Sequence, residues 1–157
     1  MKPRKKYNPN KHRIDPNAAF KALKLSKPVQ EESKVELSTG INIALGMFTK
    51  GKAEKCHFDT LASTVDLAMM LSQNIFENAY SDEITKGRDA MIRCKDRFYK
   101  TGKLGLDGEG YIAVKEAIAI HDQFMDGVTG AEVMKFMKKR ADHIKSGNFY
   151  KNERIAA

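Results

Sequence analysis

The sequence predicts an all-α protein, a compact bundle of about five helices that follows a basic N-terminal arm. Apolar residues recur at intervals of three and four from about residue 30 to residue 146, and no stretch alternates as a half-buried strand does. The positive charge lies at one end of the 157-residue chain. Residues 1–27 hold nine basic side chains and one acidic one, which accounts for the whole net charge of +8. The pattern therefore indicates a neutral helical body with a cationic arm.

Residues 1–27 are the predicted basic arm. Residues 1–14 hold clustered charge and too few apolar groups to offset their ordering entropy, so we expect them to stay extended until a partner binds them. Asp15-Pro16 is typical of a helix N-terminus and predicts a short helix over about residues 16–25. The side chains expected to contact phosphates are Lys2, Arg4, Lys5, Lys6, Lys11, Arg13, Lys21 and Lys24, with Tyr7 stacking on a base. An acidic protein groove, or a solubilising tail with no partner, is the alternative.

Pro28 marks the boundary between the arm and a helical domain predicted over residues 28–147. The first helix of this domain ends near Gly51, since glycine commonly closes a helix. Its apolar residues are Leu37, Ile41, Ala44, Leu45 and Phe48, widened by Ile43 and Met47. The second helix, from about residue 57 to Tyr80, is apolar on two sides and is therefore the predicted central helix. Its apolar residues are Phe58, Leu61, Val65, Leu67, Ala68, Met70, Leu71, Ile75 and Ala79.

The third and fourth helices follow with a glycine-rich loop between them. The third is predicted to begin at Ser81 and to end at Gly102. Its expected buried residues are Ile84, Met91, Ile92, Phe98 and Tyr99. The fourth, over about residues 109–125, is the most apolar and leaves only a narrow polar strip around Lys115 and Asp122. Its apolar residues are Tyr111, Ile112, Val114, Ile118, Ile120, Phe124 and Met125.

The fifth helix is predicted to open at Thr129, which forms a capping box with Glu132, and to stop at Gly147. Its expected buried residues are Val133, Phe136, Met137, Ala141 and Ile144. The secondary basic patch of the body is on this helix, at Lys135, Lys138, Lys139 and Arg140. Cations near a helix C-terminus also complement the helix dipole, which is the simpler explanation for most of them. Residues 148–157 are the predicted C-terminal tail.

Two segments of the body offer a partner site but also have a simpler structural explanation. On the third helix, residues 86–100 alternate in sign at steps of three and four, which is typical of a solvated ladder of ion pairs. The loop over residues 101–110 contains four glycines. Gly102 as a helix cap and Asp107 or Gly108 at the next helix start explain this loop as a structural corner. Contact of its exposed amides with phosphate or a protein is the alternative.

The titratable side chains form no recognisable metal or catalytic motif. Cys56, Cys94 and the histidines lack the spacing of zinc ligands, so neither a metal nor a cofactor is predicted. His121 lies on an apolar helix face and is expected to be a hydrogen-bonded core histidine. Asp122 is expected to point about a quarter-turn away and to form no dyad with it. Because no nucleophile, base and orienting group stand at suitable spacing, the sequence predicts a protein that is not an enzyme.

The sequence also bears on location. No stretch approaches about 18 consecutive apolar residues, so no membrane span is predicted. The basic N-terminus lacks the apolar core of a secretory signal. With only two cysteines in the chain, a reducing cytoplasm is expected rather than a disulfide scaffold.

Three segments together resemble small basic accessory proteins encoded by bacterial phages, prophages and other mobile elements. They are KPRKKYNP at residues 2–9, FDTL at residues 58–61, and TG followed by DGEG within residues 101–110. Members of this group often carry tryptophan where Phe58 stands here. The resemblance implies a host-interaction or nucleic-acid role, with anti-CRISPR and other anti-defence inhibitors among the roles it suggests. It transfers no catalytic residue.

The leading hypothesis is a non-enzymatic accessory protein of a phage or mobile element in the bacterial cytoplasm. Its basic arm binds nucleic acid or a host nucleoprotein complex, host defence machinery included. The alternative is a helical protein–protein adaptor or homodimer with an incidental basic tail. In that alternative the methionines supply an adaptable interface, Met69, Met70, Met134 and Met137 among them. The sequence leaves the oligomeric state open.

Overall fold

The computed structural model describes residues 26–146, which form five α-helices joined by loops and contain no strand. The helices are α1 Glu31–Thr49, α2 Lys55–Asn74, α3 Ser81–Thr101, α4 Gly108–Met125 and α5 Gly130–Lys145. The predicted all-α bundle is therefore confirmed. Three predictions lie outside the described residues, namely the short helix over 16–25, the stop at Gly147 and the tail over 148–157.

Helix α2 is the centre of the bundle, as the sequence predicts, and packs against each of the other four helices. Its side chains at Leu61, Val65, Ala68 and Leu71 are fully buried. Around them the core continues as one cluster with α1 and the C-terminal half of α3, and a second with α4 and Phe136 of α5. Packing against four helices explains why α2 shows two apolar faces in the sequence.

Helices α3 and α4 form the closest pair in the bundle. A Cβ atom at Gly87 of α3 would stand 2.7 Å from the Cβ of Ala117 and 3.1 Å from the carbonyl oxygen of Ala113, both on α4. Only glycine fits at this crossing without displacing a helix. At its far end α3 closes on Gly102, whose φ of 71° is left-handed and favours glycine. The predicted stop of the third helix is confirmed.

The second helix ends at Asn74, so the prediction that it continues to Tyr80 is wrong. The buried hydroxyl of Ser72 donates to the carbonyl of Ala79 at 2.6 Å. The backbone carbonyl of Ser72 accepts from the amide of Asn78 at 2.8 Å. These bonds fold the chain into a corner in place of another helical turn. The corner also brings Phe76 against Phe124, with ring centroids 4.3 Å apart.

Several apolar side chains that the sequence predicts as buried are exposed. On α5 only Phe136 is buried, because α5 lies alongside α2 and no other described helix. The exposed members of the predicted set on α5 are Met137, Ala141 and Ile144. On the end of α3, Phe98 is 40% exposed and Tyr99 is 78% exposed. Ile43 of α1 and Ile112 of α4, which the sequence counts among the apolar residues of their helices, are exposed as well.

The start of α5 is joined to the chain segment that precedes α1. Pro28 and Thr129 form an isolated antiparallel bridge, and the amide of Gly130 donates to the carbonyl of Lys27 at 3.2 Å. The predicted capping box is confirmed: the Thr129 amide donates to Glu132 Oε2 at 2.8 Å, and the Glu132 amide donates to Thr129 Oγ1 at 3.3 Å. Lys27 is thereby held against the first residues of α5.

We expect Phe136→Ala to lower the free energy of unfolding by about 3 kcal/mol, since it empties the one buried position of α5. Urea denaturation followed by circular dichroism measures the loss. Amide hydrogen exchange is expected to show α5 losing protection before the other helices. Tyr99→Ala is the matched control, and its exposed ring predicts a change of about 0.5 kcal/mol at most. Equal losses in the two variants would contradict this account of how α5 is attached.

Candidate nucleic-acid interface

The nine arm residues predicted to contact a partner lie outside the described residues, so their placement stays a prediction. They are Lys2, Arg4, Lys5, Lys6, Tyr7, Lys11, Arg13, Lys21 and Lys24. The described structure does show where this segment joins the body. The carbonyl of Lys27 is bonded to Gly130, so the arm meets the body at the N-terminus of α5.

The secondary basic patch divides into two parts. Lys135, Lys138 and Lys139 are exposed and lie within about 100° of one another around the axis of α5. Arg140 does not join them: its side chain is only 12% exposed, and its Nε donates to Asp66 Oδ2 at 2.9 Å. The exposed patch therefore consists of three lysines, and it begins about one and a half helical turns from the point where the arm meets the body.

Asp66 explains why Arg140 is turned inward. This carboxylate of α2 is buried and also lies 3.7 Å from the Nε of Arg88 on α3. A buried charge is costly unless it is paired, so the two guanidinium groups compensate Asp66 and tie three helices together. Arg140 has a structural role here, which its position beside Lys139 in the sequence does not reveal.

Two of the cations on α3 are directed towards the loop that follows the helix. Arg97 Nη1 donates to the carbonyl of Gly105 at 3.2 Å, and both Arg97 and Arg93 lie within 4 Å of an Asp107 carboxylate oxygen. Asp107 also caps α4 by accepting from the Gly110 amide at 2.6 Å. The loop over residues 101–110 is thus the structural corner that we predict. Arg93 and Arg97 brace this corner.

A groove of about 710 Å³ opens between α2, the C-terminal half of α3 and the end of α5. We call it the aromatic groove. It is lined by Lys55, Phe58, Asp59, Lys95, Phe98, Tyr99, Leu104, Arg140 and Ile144. Its volume lies within the range of ligand-binding clefts, about 300–1,000 Å³. The groove combines exposed aromatic rings with lysines, which are the two kinds of side chain that single-stranded nucleic acids bind.

Sequence periodicity does not reveal this groove, because it predicts that Phe98, Tyr99 and Ile144 are buried. One signal was available. Adjacent residues on a helix point about 100° apart, so Phe98 and Tyr99 cannot both lie on one narrow buried face. In the structure their ring centroids are 6.1 Å apart with the planes inclined at 58°, and both rings reach solvent.

His121 is a core histidine, as predicted, with 1% of its surface exposed. The expectation that Asp122 points away from it is wrong, because Asp122 Oδ1 lies 3.0 Å from His121 Nδ1. The Ser38 hydroxyl donates to the other carboxylate oxygen of Asp122, at 3.2 Å. Serine therefore contacts the carboxylate and not the imidazole. This order does not place a hydroxyl nucleophile beside a base.

Comparisons with known proteins and tests for other site types add the following. No family model, curated protein or solved structure matches this chain. Within residues 26–146, no three His, Cys, Asp or Glu side chains converge as a metal-binding group. None of the five described helices combines the length and the apolar content that crossing a bilayer requires.

The two cysteines lie in contrasting environments. Cys94 is buried, and this burial raises the pKa of its thiol above the usual value, while Cys56 is exposed. The thiolate is the reactive form, so we expect iodoacetamide at mildly alkaline pH to modify Cys56 rapidly and Cys94 only after unfolding. Mass spectrometry of native and denatured protein counts the adducts, and Cys56→Ser is the control that removes the fast reaction. Equal native rates for the two thiols would contradict the burial of Cys94.

Proposed function

We propose that this chain is a non-enzymatic nucleic-acid-binding protein that holds phosphates with the basic arm over residues 1–27. The observation that carries the proposal is the separation of charge: the arm contains the whole net charge of +8, and the rest of the chain is neutral. Lysine and arginine bind the phosphate backbone by displacing counterions, without regard to base sequence. A neutral body with a charged arm concentrates that attraction in one segment.

The junction between arm and body supports this proposal. Lys27 is bonded to the first residue of α5, and the exposed lysines at 135, 138 and 139 follow on the same helix. A strand of nucleic acid held by the arm near its root would thus meet further cations on the body. In the proposal, the arm supplies the first phosphate contacts and these three lysines supply further ones.

The resemblance to accessory proteins of phages and mobile elements suggests the setting of this activity. In the finer form of the proposal, the protein acts in the bacterial cytoplasm and binds a host nucleoprotein complex. It would block an anti-phage defence, a CRISPR complex for example, by occupying the channel that the complex uses for nucleic acid. The arm supplies electrostatic attraction to such a channel, and the rigid bundle supplies the bulk that obstructs it.

The proposal is tested by binding to labelled single-stranded and duplex DNA between about 50 and 200 mM salt. Replacing Lys2, Arg4, Lys5 and Lys6 by glutamine is expected to weaken binding and to flatten the plot of log affinity against log salt. Each lost phosphate contact lowers the slope by about 0.7 on single strands and 0.9 on duplex. The control has the same loss of charge elsewhere, with glutamine at Lys50, Lys52, Lys86 and Lys115, which are all exposed on the body. Absence of binding at low salt, or equal slopes in the two variants, would overturn the proposal.

The adaptor or homodimer is kept as a second candidate because Met134 and Met137 of α5 are exposed. Light scattering of the purified chain is expected to give a dimer mass if this face is a self-association interface. Met137→Glu would then convert the dimer to a monomer, because it places a charge in the apolar contact. A monomer at all concentrations, with no protein partner, would remove this candidate.

A further inference from the structure

We infer that the aromatic groove binds unpaired nucleotides, with a base stacked on the exposed ring of Tyr99 or Phe98 and a flanking phosphate facing Lys55. This inference rests on the proposed nucleic-acid function and extends it, because a basic arm attracts any polyanion whereas the groove selects strands whose bases are exposed. It assigns a substrate class to a surface that the charge pattern alone does not identify.

The position of the groove follows from the way α5 is held. Arg140 of α5 and Arg88 of α3 both contact Asp66 of α2. These ion pairs hold α5 and α3 beside α2 near residue 66. Towards the C-terminus of α5 the structure keeps α5 beside α2 without bringing it against α3. The space between α3 and α5 is the groove, and Phe58 of α2 forms part of its floor. The opening is thus built into the helix packing.

The aromatic side chains are presented as a stacking surface would require. Tyr99 is 78% exposed and Phe98 is 40% exposed, although both are large rings that folding normally removes from water. They occupy consecutive positions at the end of α3 and, with ring centroids 6.1 Å apart, form one patch. Leu104 and Ile144 extend the apolar surface beside them. Every base offers a flat face to such a patch, so the contact tolerates any base sequence.

The charges around the patch are complementary to a phosphodiester backbone. The exposed Lys55 lines the groove, and Asp59 is the one carboxylate among the described residues of its lining. Lys100 and Lys103 are exposed on the chain beside Tyr99 and Leu104. Phosphates that flank a stacked base would therefore meet mainly cations. A purely apolar peptide would gain nothing from these lysines, which is why we favour nucleic acid as the occupant.

The groove favours an unpaired strand over a duplex for a geometric reason. In a duplex each base face is covered by its neighbours, so an aromatic ring can reach it only after the stack has been opened. A single strand presents its bases without that cost. The arm and the lysines of α5, in contrast, find phosphates on either form. Apart from the base stacking predicted for Tyr7 of the arm, discrimination between the two forms is therefore expected to depend on the groove.

The test measures fluorescence anisotropy with the full chain and two probes, an oligothymidylate of about 20 nucleotides, longer than one site needs, and a duplex of the same length. Tyr99→Ala is expected to weaken binding of the single strand about tenfold, the loss of one base stack, while duplex affinity and the salt slope stay unchanged. Ile43→Ala is the matched control. It removes an exposed apolar side chain from α1, which packs against neither α3 nor α5, and should leave both affinities unchanged.

Photo-crosslinking adds a readout that a change in folding cannot imitate. An oligonucleotide carrying 5-iodouracil is expected to attach to Tyr99 or Phe98, as located by mass spectrometry of the digested adduct. Adducts only on other residues, or single-strand affinity unchanged in Tyr99→Ala, would overturn the inference and leave the groove to a protein segment. If the wild type binds strand and duplex equally, the inference fails and the proposed function stands. If it binds neither, both fail.

Discussion

The buried carboxylate of Asp66 is the interaction on which the arrangement of this molecule depends. It is buried on the central helix and is paired with cations from two of the four helices around it. These cations are Arg88 of α3 and Arg140 of α5, so the angle of α5 is fixed by charge at one point and by the ring of Phe136 at another. Few apolar contacts help to hold α5 in position, because it lies alongside α2 and no other described helix. The groove beyond Arg140 is the consequence of this limited attachment.

The same attachment explains which basic residues of α5 are available to a partner. The four basic residues between 135 and 140 look equivalent in the sequence, but the fold commits Arg140 to Asp66 and leaves the three lysines exposed. A planar guanidinium suits a buried carboxylate, whereas the strongly hydrated ammonium of lysine suits the surface. The division of the patch is therefore a consequence of side-chain chemistry as well as of position.

Periodicity predicted the helices well where burial is complete and poorly where it is partial. Helix α2 shows two apolar faces because four helices pack against it, and its central role could be inferred from Leu61, Val65 and Leu71 alone. The end of that helix could not be inferred, since the corner depends on hydrogen bonds from Ser72 to residues 78 and 79. The exposure of Tyr99 could not be predicted either. An apolar stripe indicates which face is buried only when another element is present to cover it. Distant pairs such as Asp66 with Arg140 leave no local signal.

Helix α5 links the two surfaces proposed to bind nucleic acid. The arm meets the body at Gly130, at the start of the helix, and Ile144 lines the aromatic groove near its end. Sixteen residues of helix span about 24 Å. At the spacing of about 3.4 Å per nucleotide found in a duplex strand, this is about seven nucleotides, and fewer when the strand is extended. The lysines at 135, 138 and 139 lie on the opposite side of α5 from Arg140 and Ile144, which line the groove. A strand bound by the arm and these lysines would therefore have to pass around α5 to reach the groove. The arm would supply most of the attraction, and the groove would supply the choice of an unpaired strand.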